Sequence, residues 1–276
     1  MSITNKPYWM NKEAFAEQAK MHVAATNDIP KGKSKIYTFA DVEKRSNIIH
    51  NTPASQFLSE VDSVTAIFDA VKPNKKVCVL NFASYTHPGG KFLEGSIAQE
   101  ESLCHESNLY QHLATAENEE FYNYNKSHKN YGFYEHRAIY TEDVTFLRDD
   151  KMIKADVLTC ASVNLHALKY HRKELKSLII EDNGCYMSNV SLEKINEELM
   201  KTRICFIRNI MEKENVDVAI LGAYGCGVFR QDPEFIAKTF KETFNDTNME
   251  VIYAIKPSIH MENINAFRKV FLKSKA

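Results

Sequence analysis

The sequence predicts an α/β sandwich on a mixed or largely parallel sheet, preceded by a helical extension. Three observations carry this. Short apolar runs, KKVCVLNF at 75–82, VDVAILG at 216–222 and EVIYAI at 250–255, read as buried strands. Segments with helical apolar spacing follow each run. Two of the runs pass first into glycine-rich loops, as in open α/β sheets whose ligands sit beyond the carboxyl ends of the strands.

In chain order, NKEAFAEQAKMHVAAT carries Phe15, Ala19 and Val23 at helical spacing and stops at Asp28-Ile29-Pro30. KSKIYTFADV reads as a short strand. Thr52-Pro53 offers a helix start, with Phe57, Val61, Val64 and Phe68 as its stripe. After strand 75–82 and its glycine loop, a helix is expected near Ser96, where Ser96 and Gln99 have capping-box spacing and Leu103, Tyr110 and Leu113 mark one face. DVLTCAS at 156–162 reads as a further strand and 192–214 as a long helix. Asp232-Pro233 supplies a cap and a first-turn proline for the helix after the second loop. A last helix is expected around 262–272. The expected division is a helical extension over 1–35 and one domain over 36–276.

A chain of 276 residues with 44% apolar and 26% charged content can bury a core without covalent staples. Thirty-five basic side chains nearly cancel 36 acidic ones, which argues against a broad nucleic-acid surface. The six cysteines form no C-x-x-C pair, and several lie in apolar runs such as VCVL and RICFI, where reduced, buried thiols are expected. The opening residues lack an apolar signal core, and no run reaches the roughly 20 apolar residues of a membrane span. A cytoplasmic monomer is the expectation, with no metal and no cofactor; His166 and His171 are too loosely spaced for a metal site.

The loop GAYGCGVF, 222–229, frees its backbone at Gly222, Gly225 and Gly227 to turn N–H groups toward one point. That makes either an anion site for a phosphate or diphosphate, or a tight strand-to-helix turn. It lacks the Gly-Lys-Ser/Thr ending of a Walker loop, and Arg230 stands where the dinucleotide fingerprint needs a third glycine. Cys226 has no base nearby in sequence and reads as a small residue in a crowded turn. In the other loop, PGGKFLEGSIAQEE at 88–101, Glu100 and Glu101 fall in the first turns of a helix. Adjacent helical residues point about 100° apart, so the two acids are expected to have separate roles. A helix N-terminus favours the ionised carboxylate, so acid chemistry there requires burial or an anionic ligand to raise the pKa.

Together the two loops resemble the signature of the microbial-type poly(ADP-ribose) glycohydrolases, a branch of the macrodomain fold: a triple glycine, a short spacer and Gln-Glu-Glu. Here the spacer from Phe92 to Ala98 is seven residues and Gln99-Glu100-Glu101 is intact. ILGAYGCGVFRQDPEFIA (220–237) looks like the family's second ligand loop, and HRAIYTEDVTFLRDD (136–150) and NINAFRKVF (263–271) are similar to family segments. The resemblance implies a macrodomain-like three-layer α/β/α sandwich with a mixed central sheet. It also implies an enzyme that releases ADP-ribose from polymer or from mono-ADP-ribosylated targets. On that reading Gly89, Gly90, Gln99, Gly222, Ala223, Gly225, Cys226, Gly227, Val228 and Phe229 line the ADP-ribose site. Glu101 acts as general acid and then base, and Glu100 holds the ribose hydroxyls. One position departs: Lys91 replaces the third glycine, where a side chain can alter the backbone, crowd the distal ribose, contact phosphate or point to solvent. His87 and Cys104 read as surface or packing residues. Two other functions are weighed: a non-catalytic ADP-ribose reader, and a hydrolase of a free nucleotide-sugar. The intact acid pair favours the glycohydrolase.

Overall fold

A computed structural model of the protein describes residues 11–42, 54–173, 191–258 and 261–272. Seven strands form one sheet in the order β1-β4-β5-β3-β6-β7-β2. They are β1 (Ser34–Thr38), β2 (Gln56–Ser59), β3 (Val77–Phe82), β4 (Arg137–Arg148), β5 (Lys151–Cys160), β6 (Val218–Leu221) and β7 (Glu250–Ala254). β5, β3, β6, β7 and β2 run parallel, while β4 pairs antiparallel with both β1 and β5, so the sheet is mixed.

Strand side chains alternate between two cores, as the two-residue period of a strand requires. Cys78 and Leu80 of β3, Leu158 and Cys160 of β5, and Val251 and Tyr253 of β7 face one core. Val77, Val79, Val157, Ile252 and Ala254 face the other. The first core is closed by the helices Leu192–Lys213, Pro233–Thr243 and Glu262–Phe271, through Met200, Ile204, Phe240 and Phe267. The second is closed by helices Lys12–Thr26 (α1), Ser63–Ala70 (α2), Gln99–His105 (α3), Leu109–Leu113 (α4) and Ala116–Ser127 (α5), through Ala19, Ile67, Leu103, Leu113 and Phe121. The result is the expected α/β/α sandwich. Among the described residues no helix is long and apolar enough to cross a membrane.

Several local expectations change. Thr52-Pro53 lies outside the described residues, and Phe57 is on edge strand β2, paired with Ile252, rather than in a helix. The helix begins instead at Ser63, where Asp62 Oδ1 accepts from the Thr65 N–H at 2.8 Å. Ser96 does not cap the next helix. The N-cap is Ala98, whose methyl side chain cannot cap, and Gln99 is the first helical residue, engaged elsewhere. The stripe Leu103–Leu113 is broken in two at Ser107, which bridges to Phe146 of β4 while its hydroxyl accepts from the Leu109 N–H. The expected strand at 156–162 is the second half of β5, which forms a hairpin with β4; the two-residue turn between them holds Asp149 at φ 53°. Of the cysteines in apolar runs, Cys205 is exposed, on the outward face of its helix between buried Ile204 and Phe206.

Candidate active site

β3 and β6 are adjacent and parallel, so the loops that follow them leave from the same edge of the sheet. This is how segments more than a hundred residues apart in sequence meet.

In the first loop Gly89 and Gly90 both have positive φ, 66° and 61°, a region that L side chains adopt at a cost. Gly89 is also packed: a Cβ there would stand 2.9 Å from Tyr110 and 3.3 Å from Cys104 Sγ. Lys91, by contrast, has φ −108° and ψ 30°. A lysine therefore fits this turn without strain, and its side chain is 68% exposed, 3.8 Å from Glu94. Phe92 then anchors the loop. It is fully buried against His105 (4.6 Å between ring centroids), Tyr110 (5.6 Å) and His22 of α1 (6.5 Å). His87 is exposed and Cys104 buried, as expected for surface and packing residues.

α3 places three consecutive side chains in three roles. Gln99 Oε1 accepts from the Phe82 N–H at 2.9 Å, and its Nε2 donates to the Leu80 carbonyl at 3.0 Å and to Ser63 at 3.2 Å. It clamps the end of β3, so its amide holds the fold rather than standing free toward a ligand. Glu100 accepts from Asn81 Nδ2 at 3.2 Å and from the Ser84 N–H at 2.7 Å. Glu101 accepts from the Lys91 N–H at 3.0 Å through Oε1, while its Oε2 is buried with no hydrogen-bond partner among the described residues. The partners differ, as the helical geometry requires, yet both carboxylates reach one spot. A Cβ on Gly90 would lie 2.6 Å from Glu101 Oε1 and 2.9 Å from Glu100 Oε2. Both acids are almost fully buried. Burial pushes Glu100 up to about 8, opposed by its bonds from Ser84 and Asn81 and reinforced by the charge of Glu101.

The second loop, 222–229, is built on tight packing at two glycines and openness at the third. A Cβ on Gly222 would meet the Ala254 carbonyl at 2.8 Å and the Phe82 ring at 3.1 Å. Gly225 has φ 75° and lies against Ser162. Gly227 has nothing within 4 Å of where a Cβ would be. The N–H groups of Tyr224 and Cys226 close turns onto Gly222 and Ala223. Those of Gly225, Gly227, Val228 and Phe229 have no protein acceptor among the described residues, which suits a backbone anion site. Val228 is 78% exposed. Cys226 is partly buried and burial raises its thiol pKa, the opposite of an activated nucleophile. Asp232 caps the next helix through the Phe235 N–H at 2.9 Å.

Sequence reading missed a third component. Phe229 stacks on Tyr85 (6.2 Å, 22°), and Tyr85 on Tyr134 (3.3 Å, 13°), so an aromatic stack joins the two loops. Tyr85 lies just before the first glycine loop, but its partner Tyr134 is far away in sequence and carries no periodic signal. A separate cavity of about 210 Å³ lies at the opposite, amino ends of β6 and β7, lined by Phe57, Ala66, Val218 and Glu250, away from both acids.

The family model for the catalytic domain of microbial-type PARG, the poly(ADP-ribose) glycohydrolases, matches residues 8–149. The chain belongs to this family. It is thus a glycoside hydrolase of poly(ADP-ribose), and its acid pair and first glycine loop lie within the matched region. Solved glycohydrolase structures share its fold. That of Thermomonospora curvata is 22% identical, covering 95% of this chain and 100% of its own, with a TM-score of 0.73. The Deinococcus radiodurans glycohydrolase in complex with ADP-ribose is 24% identical, covering 92% and 98%, with a TM-score of 0.72. The Thermomonospora curvata glycohydrolase bound to the inhibitor ADP-HPD is 21% identical, covering 95% and 100%, at 0.71. No curated protein matches the chain.

Proposed function

We propose that this glycohydrolase releases ADP-ribose from polymer and from mono-ADP-ribosylated targets, with Glu101 as the group that moves the proton. One observation carries the assignment: Glu101 has one oxygen fixed by the Lys91 N–H beside Gly90, and the other buried with no hydrogen-bond partner among the described residues. A fixed carboxylate with one free oxygen in a dry pocket is placed to protonate a leaving oxygen as the anomeric carbon gains oxocarbenium character. It then accepts a proton from the attacking water. Glu100, whose oxygens are turned toward Asn81 and Ser84, fixes the ribose hydroxyls. Burial raises Glu100, so this carboxyl can keep a proton and donate a hydrogen bond to a ribose hydroxyl.

The free N–H groups of 225–229 hold the diphosphate, and the open space at Gly227 lets it approach the backbone closely. Ala223, Cys226 and Val228 line that loop, and Phe229 packs on the ligand from the end of the aromatic stack. Gly89 and Gly90 give the anomeric ribose its clearance, and Gln99 holds the floor of the site. The catalytic unit spans 36–276, with the preceding helix bracing it. The protein acts as a cytoplasmic monomer.

A reader module would need no acid beside Gly90, and the convergence of two buried carboxylates there favours turnover over reading. The test incubates the protein with labelled poly- and mono-ADP-ribosylated substrates and follows free ADP-ribose. Glu101→Ala is expected to keep ADP-ribose binding and to lower release by about a hundredfold or more. Undiminished release by that variant overturns the role of Glu101. Tight binding without release by the unaltered protein overturns hydrolysis in favour of reading.

A further inference from the structure

Arg203, on the helix Leu192–Lys213, is completely buried beneath the carboxyl ends of the strands. Its Nε donates to His136 Nδ1 at 2.7 Å; Nη1 donates to the Tyr85 hydroxyl and the Ala161 carbonyl; Nη2 donates to the carbonyls of Phe133 (3.3 Å) and Tyr134 (3.2 Å). The five donors of a guanidinium are thereby satisfied. Every acceptor is neutral, however, and among the described residues no carboxylate is ion-paired with Arg203. Hydrogen bonds satisfy the N–H groups but do not cancel the charge, and a buried charge without a counter-charge is costly.

Its surroundings offer no titrating substitute. Burial, together with the charge of Arg203, lowers His136 to about 3, so that ring is neutral. Burial raises the phenols of Tyr85 and Tyr224, which stay protonated. The acceptors are also not scattered: Tyr85 follows β3, Ala161 follows β5, and Phe133 and Tyr134 precede β4. One side chain therefore ties together the segments that carry the aromatic stack, whose outer member Phe229 belongs to the loop with free N–H groups.

We propose that Arg203 is a positioning residue whose uncompensated charge is matched by the diphosphate of ADP-ribose. It acts through Tyr85 and the stack, and through the field beneath the loop, without touching the ligand. This rests on the diphosphate being held at 225–229. The ligand completes an electrostatic pair that the described residues leave open, so recognition is selective for the charged centre of the ligand over its neutral nucleoside end.

The test compares binding of ADP-ribose and of adenosine, a neutral probe, by calorimetric titration and competition, in the full chain and in Arg203→Gln and Arg203→Lys. Arg203→Gln is expected to weaken ADP-ribose about tenfold or more while changing adenosine by no more than about twofold. Arg203→Lys, which keeps the charge but not the fork of donors, is expected to retain most of the preference. Equal weakening of both probes by Arg203→Gln, or an unchanged preference, overturns the proposal. If Arg203→Gln does not fold, Arg203→Lys decides: loss of the preference there means that geometry rather than charge is responsible. Failure of the unaltered protein to bind ADP-ribose would instead overturn the site assignment on which the proposal rests.

Discussion

The main-chain N–H of Lys91 donates to Oε1 of Glu101 at 3.0 Å, so the residue at the expected third-glycine position also aims the second acid. Only the backbone of Lys91 is used in this, and that backbone is in a region open to any residue. Lys91→Gly is therefore expected to keep the Glu101 contact. It should destabilise the protein by about 0.5–1 kcal/mol through the added freedom of the unfolded chain, checked by denaturant titration. Turnover of mono-ADP-ribosylated substrate should stay within about twofold. With the exposed ammonium gone, KM for the polyanionic polymer should rise and its dependence on salt should flatten.

Gly90 is the position at which both carboxylates meet the loop. Gly90→Ala puts a methyl 2.6 Å from Glu101 Oε1 and 2.9 Å from Glu100 Oε2, at φ 61°. The backbone contribution is about 1–2 kcal/mol of stability. Displacement of the acids is expected to lower kcat by about tenfold or more, read by steady-state kinetics beside a thermal melt. A Gly90→Ala protein with unchanged kcat would mean that the acids do not need this approach.

The buried Glu100 makes stability depend on pH. Its folded pKa, about 8, lies above the ordinary carboxylate value of 4.5. A raised pKa contributes stability that is full below the unfolded value and is lost as pH rises through the folded one. Stability should therefore fall between about pH 4.5 and 8, by an amount on the order of a few kcal/mol from this group. Glu100→Gln should flatten that decline, measured as the difference in denaturation midpoint between the two proteins at pH 5 and pH 8. Parallel profiles would show that Glu100 does not carry the dependence.

Phe92 ties the glycine loop to α1 and α4. It is completely buried between His22, His105 and Tyr110, so Phe92→Ala should cost about 3–5 kcal/mol of stability. Because Phe92 directly follows the Lys91 donor, kcat should fall under conditions where the variant is still folded, as judged by circular dichroism. A stable, fully active variant would show that α1 is not a support of the site.

Much of this was legible in the chain. β3, β6 and β7 are apolar over consecutive residues because each is covered on both sides, and that double burial leaves a mark in any single sequence. Asp232-Pro233 announced its helix because a cap and a first-turn proline act locally. The Gln-Glu-Glu spacing and the two glycine loops pointed to the family before any coordinate was needed. Ser96 and Gln99 misled for an equally physical reason. Capping-box spacing is necessary but not sufficient, and Gln99 gains more by satisfying the end of β3 and Ser63 than by capping its own helix. Phe57 fits a helical stripe as well as a strand, and only its pairing with β7 decides between them.

What the sequence determined by itself is therefore the class of fold, the family, and the acids and loops of the candidate site, because those are set by local pattern and short spacing. Only the tertiary structure decided that Lys91 sits in an ordinary backbone region and that Gln99 serves the sheet. It alone brought both carboxylates to Gly90, and it alone joined Tyr85, Tyr134, Phe229 and Arg203 into one assembly. These are relations between residues far apart in the chain. Their energies come from burial and from partners that exist only once the strands have been placed side by side.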